Sequence, residues 1–211
     1  MIETPTVHGH EDAQVHSWIV EIRRRLGSPP PRRLPAGETR QAAVLVPLYV
    51  EAQELWTILT ERSADLPHHK SQIAFPGGGR ELGEAAWETA LREAREEIHL
   101  PEKAVLRLGE LDETETPSGF RIVPCVGAVP EVFEPEPDGG EIADVFSVPL
   151  SAFANPTMVE DRPVSINGVE RTLRIYHVGR RRIWGLTARI LQNLLRRLGL
   201  EADEDLANPP V

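Results

Sequence analysis

The chain has 211 residues, 40% of them hydrophobic and 27% charged, and carries a formal net charge of −10. That length fits one domain with decorations and can bury a sizeable core, while the acidic balance argues against a protein whose main business is coating nucleic acid. A single cysteine, Cys125, excludes an intramolecular disulfide and favours a reducing compartment.

Residues 1–12 are polar and expected to fray. They lack the basic start and apolar run of a secretory signal, and no run of 18 apolar residues occurs, so no membrane association and a cytoplasmic location are expected. Over 13–26, Val15, Trp18, Ile19, Ile22 and Leu26 form one stripe and Gly27 follows, which predicts an amphipathic helix. The prolines of "SPPPRRLPAG", 28–37, cannot continue it and predict an extended connector. "QAAVLVPLYV" and "ELWTILTER" predict two strands joined by a turn at Glu51 to Gln53, and "SQIAF" a third, stopped by Pro76 and Gly77 to Gly79. A helix is predicted over 84–98. Strands then follow in "VLRLGELDET", "FRIVPCVGAV" and "IADVFSVPL", with a hairpin turning at Asn167-Gly168. Residues 183–198 repeat apolar side chains at three and four up to Gly199, predicting a last helix, and the acidic tail 201–211 is expected to be disordered. The organisation predicted is an N-terminal segment over 1–37, one mixed α/β domain over 38–200, and the tail. Cys125, in an apolar strand, is expected to be a buried small hydrophobe.

The helix over 84–98 carries an unusual charge pattern. Taking about 100° per residue and Glu93 as zero, Glu97 lies near 40° and Glu96 near −60°. Trp87, Leu91, Ala94 and Ile98 cluster on the opposite side. Like charges at such spacing repel by a few tenths of a kcal/mol per pair. Three convergent carboxylates offer oxygen ligands to a hard divalent cation, whose binding would turn that repulsion into coordination. The preceding "FPGGG" reads as a glycine turn that brings backbone close to the acidic face and delivers the chain into a helix N-terminus, a site that favours anions.

The segment 78–100 resembles the Nudix box: Gly, five residues, Glu, seven residues, Arg-Glu, an apolar residue, any residue, Glu-Glu, any residue, Gly and an apolar residue. Here those places are Gly78, Glu84, Arg92, Glu93, Ala94, Glu96, Glu97, His99 and Leu100, with His99 standing where the family has glycine. Histidine is among the side chains enriched at positive φ, so the turn is expected to survive. The resemblance implies a Nudix-type α/β/α sandwich with a mixed sheet, here with added N- and C-terminal helices. It implies hydrolysis of a nucleoside diphosphate derivative with Mg2+ or Mn2+, held by Glu93, Glu96 and Glu97. Arg92, counted among the catalytic residues, would pair with the structural Glu84 and hold the helix against its loop. Glu96 and Glu141 are both candidates for the general base. A homodimer is an expectation at the family level only.

Upstream, "ILTERSADLPHHKSQIAFPGG" resembles the signature of the coenzyme A diphosphatase branch. Thr60, Arg62, Ser63, Phe75, Pro76, Gly77 and Gly78 are in register, whereas Pro67 replaces an arginine and Ser71 a glycine. This second resemblance implies a small nucleotide substrate, coenzyme A or an acyl derivative, contacted by Arg62, Phe75, Gly77 and Gly78. His68, His69, Lys70 and Arg180 to Arg182 could supply charge for its 3′-phosphate in place of the missing arginine. Trp18 and Trp87 are expected in the core, with Trp56 and Trp184 open to stacking roles. The alternatives are a Nudix hydrolase of ADP-ribose, a dinucleotide or a damaged nucleotide, and a non-catalytic nucleotide-binding module.

Overall fold

The computed structural model describes residues 8–35, 37, 39–64, 71–129, 133–166 and 168–201. The expectations placed on Pro67 to Lys70, on Asn167 and on the tail after Glu201 lie outside them. A first helix, α1 (His8–Gly27), leads through the connector into β1 (Arg40–Glu51) and β2 (Glu54–Arg62). Two short strands, β3 (Ile73–Ala74) and β4 (Gly77–Gly79), precede α2 (Ala86–Ile98). Then come β5 (Leu106–Glu110), β6 (Thr114–Glu115), β7 (Phe120–Ala128), β8 (Ile142–Pro149) and the short α3 (Leu150–Ala154). A three-stranded antiparallel sheet of β9 (Val159–Ile166), β10 (Val169–Val178) and β11 (Arg181–Ile183) follows, and α4 (Gly185–Leu198) is last.

The main sheet is mixed. Its path is β3-β2-β1-β7-β5, with β4 added to β1, β6 to β7 and β8 to β2. Only β1 and β7 run parallel, from Arg40 opposite Phe120 to Leu48 opposite Ala128. The apolar run of β1 follows from burial on both faces. Ala42, Val44, Val46 and Leu48 point into one cluster, shared with Ile22 and Leu26 of α1 and with Ile190, Leu191, Leu194 and Leu195 of α4. Ala43 and Leu45 point into the other, with Ala90, Leu91, Ala94 and Ile98 of α2 and with the fully buried Cys125. Burial pushes the Cys125 thiol well above its ordinary range, as expected of a packing residue. The result is the expected α/β/α sandwich.

Several boundaries differ from the sequence reading. Helix α1 begins earlier, at His8. The predicted strand 105–114 breaks into β5 and β6, because Glu113 N donates to the Arg32 carbonyl and Asp112 N to Asn193 rather than to β7. Leu150, expected to end a strand, opens α3 instead. Ile183, expected in the last helix, pairs with Tyr176 in β11 instead. Residue 37 is no packing boundary, since Ile22 and Leu26 are 3% and 1% exposed in the same cluster as α4. Trp18 and Trp87 are half-buried against the two clusters, Trp56 stacks on Tyr49, and Trp184 is exposed.

Leu26 also packs beneath Gly109, where an added Cβ would lie 3.1 Å from its own Cβ. Replacing Leu26 with Ala should therefore lower unfolding free energy by about 2–5 kcal/mol in urea titrations, although the residue is remote from the acidic helix.

Candidate active site

Helix α2 lies along the flank of β4, and the glycines explain how it can. Neither Gly77 nor Gly78 has positive φ; what they lack is bulk. A Cβ on Gly77 would sit 2.5 Å from the Ala43 carbonyl oxygen, because β4 pairs tightly with β1. A Cβ on Gly78 would sit 2.5 Å from Glu93 Oε1. The expected glycine turn feeding a helix N-terminus is thus a short strand, and a separate turn at Gly83, φ 88°, leads into α2. The glycines face the middle and C-terminal turns of α2, not its N-terminus.

Glu97 is 7% exposed, and its Oε2 accepts from Gly77 N at 3.1 Å. Arg62 Nη1 is 3.8 Å from its other oxygen. Desolvation, reinforced by the charges of Glu93 and Glu141, pushes the Glu97 carboxyl up to about 8 despite the Gly77 and Arg62 contacts. Desolvation also raises the Glu93 carboxyl, against the pull of Arg92, whose Nη1 is 2.9 Å from Glu93 Oε1. Glu96 behaves differently. Its side chain is half exposed and turned to Arg92 Nη1 at 3.1 Å and Arg95 Nη2 at 3.2 Å. Two of the three carboxylates therefore converge on the glycine strand while the third is held by arginines. Among the described residues, no three His, Cys, Asp or Glu side chains form a closed ligand set.

Arg92 and Glu84 pair as expected, Nε to Oε1 at 2.8 Å. Glu84 Oε2 also accepts from Glu81 N at 3.0 Å and Thr89 Oγ1 at 2.7 Å, and Arg92 Nη2 reaches the Gly79 carbonyl at 3.1 Å. These bonds tie the loop before α2 to its middle turn. His99 ends the helix at φ 58°, ψ 24°, its N–H donating to the Ala94 and Arg95 carbonyls. The left-handed turn survives with histidine in the place of glycine.

Arg62 stands at the end of β2, bridging Glu97 and, through Nη2 at 3.1 Å, Glu141. Its Nε is buried and has no hydrogen-bond partner among the described residues. Phe75, expected to meet substrate, is 3% exposed inside the cluster shared with α4, so its ring packs the core. One positioning residue escaped the sequence reading. Asp138 accepts from the N–H groups of Gly140, Glu141 and Ile142 at 3.2, 3.2 and 2.8 Å, and its own N–H donates to the Glu97 carbonyl. It thereby sets Glu141 opposite α2. The Asp-Gly-Gly run at 138–140 was the available signal, being a strong turn former.

A model of the NUDIX domain matches residues 39–167. The chain belongs to the Nudix family. It is 38% identical over 169 residues to an uncharacterized Nudix hydrolase, NudL, of Pectobacterium atrosepticum, covering 78% of this chain and 86% of that one. A NudL of Photorhabdus laumondii is 36% identical over 171 residues, covering 81% and 90%. In fold, the chain is similar to a MutT/nudix family protein from Enterococcus faecalis, with a TM-score of 0.52 at 16% identity over 93% of this chain and 76% of that one. This Nudix chain is accordingly a pyrophosphatase acting on nucleoside diphosphate derivatives. Nudix hydrolases generally use divalent ions such as Mg2+ or Mn2+. The residues here fit such an ion: Glu97 and Glu93 are desolvated oxygen donors whose charge one backbone N–H and two arginines compensate only in part. Among the described residues, no helix is long and apolar enough to cross a membrane.

Gly77→Ala meets backbone and should cost about 1–3 kcal/mol of stability. Gly78→Ala meets only the side-chain end of Glu93 and no backbone, so its melting temperature should stay within a few degrees of wild type while kcat/KM falls roughly 100-fold. The Arg92 pair and the bonds from Glu81 and Thr89 hold the Glu84 carboxyl down at about 2, against an ordinary 4.5. Its stabilisation is therefore complete above pH 4.5 and lost as pH falls towards 2. In urea titrations, the stability gap between wild type and Glu84→Gln should narrow across that window.

Proposed function

We propose that this Nudix hydrolase cleaves the diphosphate of coenzyme A, or of an acyl derivative, to adenosine 3′,5′-bisphosphate and 4′-phosphopantetheine or its acylated form. The observation that carries this reading is the position of Arg62. The arginine in register with the coenzyme A diphosphatase signature stands at the acidic cleft beside Glu97 and Glu141. Ser71 lends support, since it has φ 51° at the place where that signature carries glycine.

Glu93 and Glu97, joined by Glu96, would hold the Mg2+ or Mn2+. When bound, such an ion supplies charge neutralisation at the phosphoryl oxygens and acidifies water. Arg62 supplies a planar, permanently charged donor for one phosphate. Gly77 N–H orients Glu97, and Gly78 leaves the room in which Glu93 and a phosphate oxygen come close to backbone. Arg92 fixes Glu93 and Glu96 relative to the loop through Glu84.

Of the two candidate bases, Glu141 is the better placed to accept the proton of the attacking water. Both oxygens of Glu96 already face arginines, whereas Glu141 meets Arg62 through one oxygen and is 62% exposed. The exposure leaves a path for the proton to solvent.

Incubation with coenzyme A and Mg2+ or Mn2+, read by mass analysis, should release the bisphosphate and the phosphopantetheine, and a metal-free control should release neither. Glu141→Gln should lower kcat by about 10²–10⁴ with little change in KM. Faster turnover of ADP-ribose than of coenzyme A would reassign the substrate, and an unchanged kcat in Glu141→Gln would return the base to Glu96.

A further inference from the structure

The acidic cleft lies on the α2 side of the main sheet. On the α4 side there is a second concavity of about 160 Å³, bounded by the connector after α1, the β5–β6 link and α4. Its lining is rich in charge. Arg189 and Arg196, two helical turns apart on α4, face it from one wall, and Arg32 of the connector faces it from another. Asp112 and Glu113 also line it, but their oxygens are engaged elsewhere. Asp112 accepts from Arg197 Nη2 at 2.5 Å, Asn193 Nδ2 at 3.2 Å and Arg32 N at 3.0 Å. Glu113 accepts from Arg121, from Arg33 at 3.4 Å and from Leu34 N at 2.8 Å.

The three pocket arginines are exposed, and solvent rather than carboxylate carries most of their compensation. Among the described residues, the guanidinium groups of Arg189 and Arg32 form no ion pair, and Arg196 has only Glu201 at 3.8 Å. Arg189 makes one hydrogen bond, to the Glu115 carbonyl at 3.5 Å. Partial desolvation and the charges of Arg32 and Arg171 pull the Arg189 guanidinium below its ordinary range, as expected where cations crowd without a counter-ion. A second observation points the same way. Thr114 lines the pocket at 7% exposure, and its buried Oγ1 has no hydrogen-bond partner among the described residues. Buried hydroxyls are rarely left so.

We infer that this pocket is an anion site, separate from the acidic cleft, that takes one phosphate group between Arg32, Arg189 and Arg196. The volume holds less than a whole nucleotide, since drug-sized ligands need roughly 300–1,000 Å³, so a phosphomonoester would seat only its phosphate there. It accommodates a compact anion whose oxygens can accept from guanidinium groups on several sides, and a phosphate meets that description better than a carboxylate, which offers two oxygens in one plane. None of the residues that line this pocket belongs to the acidic cleft. The inference does not depend on which diphosphate the cleft hydrolyses.

The test is calorimetric titration of the full chain, metal-free and at ionic strength held constant with sodium chloride, using sodium phosphate, adenosine 5′-monophosphate and sodium acetate. One saturable phosphate site is expected, at least tenfold weaker in Arg189→Gln and several-fold weaker in Thr114→Val. The valine variant should melt at or above the wild-type temperature, so its loss of binding would not report misfolding. Tighter binding of inorganic phosphate would identify a free anion as the ligand, and tighter binding of the monophosphate a phosphomonoester; either supports the site. No saturable binding, acetate binding as tightly as phosphate, or wild-type affinity in both variants would overturn it.

Discussion

The contact that everything at the cleft depends on is the approach of α2 to the glycine strand. A carboxylate 93% removed from solvent is costly unless something compensates its charge. Glu97 has the Gly77 N–H, a distant arginine and two neighbouring carboxylates that make matters worse. The helix is held in this uncomfortable place by the apolar face of α2, where Ala90, Ala94 and Ile98 are fully buried against β1 and β7. Packing energy on one side of the helix thus sustains electrostatic tension on the other. That division is how a fold can store affinity for a cation in its metal-free form.

Around this contact the supporting bonds act at a distance from the chemistry. Glu84, Arg92 and Thr89 lock the loop to the helix, His99 closes the helix with a left-handed residue, and Asp138 ties the β8 approach to the Glu97 carbonyl. These residues position carboxylates rather than touch substrate. The same arrangement gives Arg62 two acidic neighbours, so that a phosphate must compete with Glu97 and Glu141 for it.

Much of this was legible in the residues. The period of 93, 96 and 97 placed three acids in one sector, and the apolar runs of β1 and β7 read as strands of a mixed α/β domain. What escaped had physical causes. Glycines in a row were read as a turn because conformational freedom is their usual use; here they are extended, and their value is the missing Cβ. Glu96 shares the sector of its neighbours, yet the adjacent Arg92 and Arg95 attract it away, a choice of rotamer that periodicity cannot express. Phe75 belongs to a motif, but its ring packs in the cluster shared with α4, between β3 and β4. The break between β5 and β6 was hidden because its cause lies some 80 residues away, in the connector that takes the backbone donor of Glu113.

The two long outer helices end side by side. Arg25 of α1 donates to the Leu198 carbonyl, Arg197 of α4 donates to the Leu26 carbonyl, and Gly199 leaves the space that Arg25 occupies. Each helix thus caps the other, across more than 170 positions of sequence. A clasp of that reach joins the two ends of the described fold, and its closure carries a loop-entropy cost that local contacts do not. Trimming either helix would strip the other of its cap and open the shared core to water.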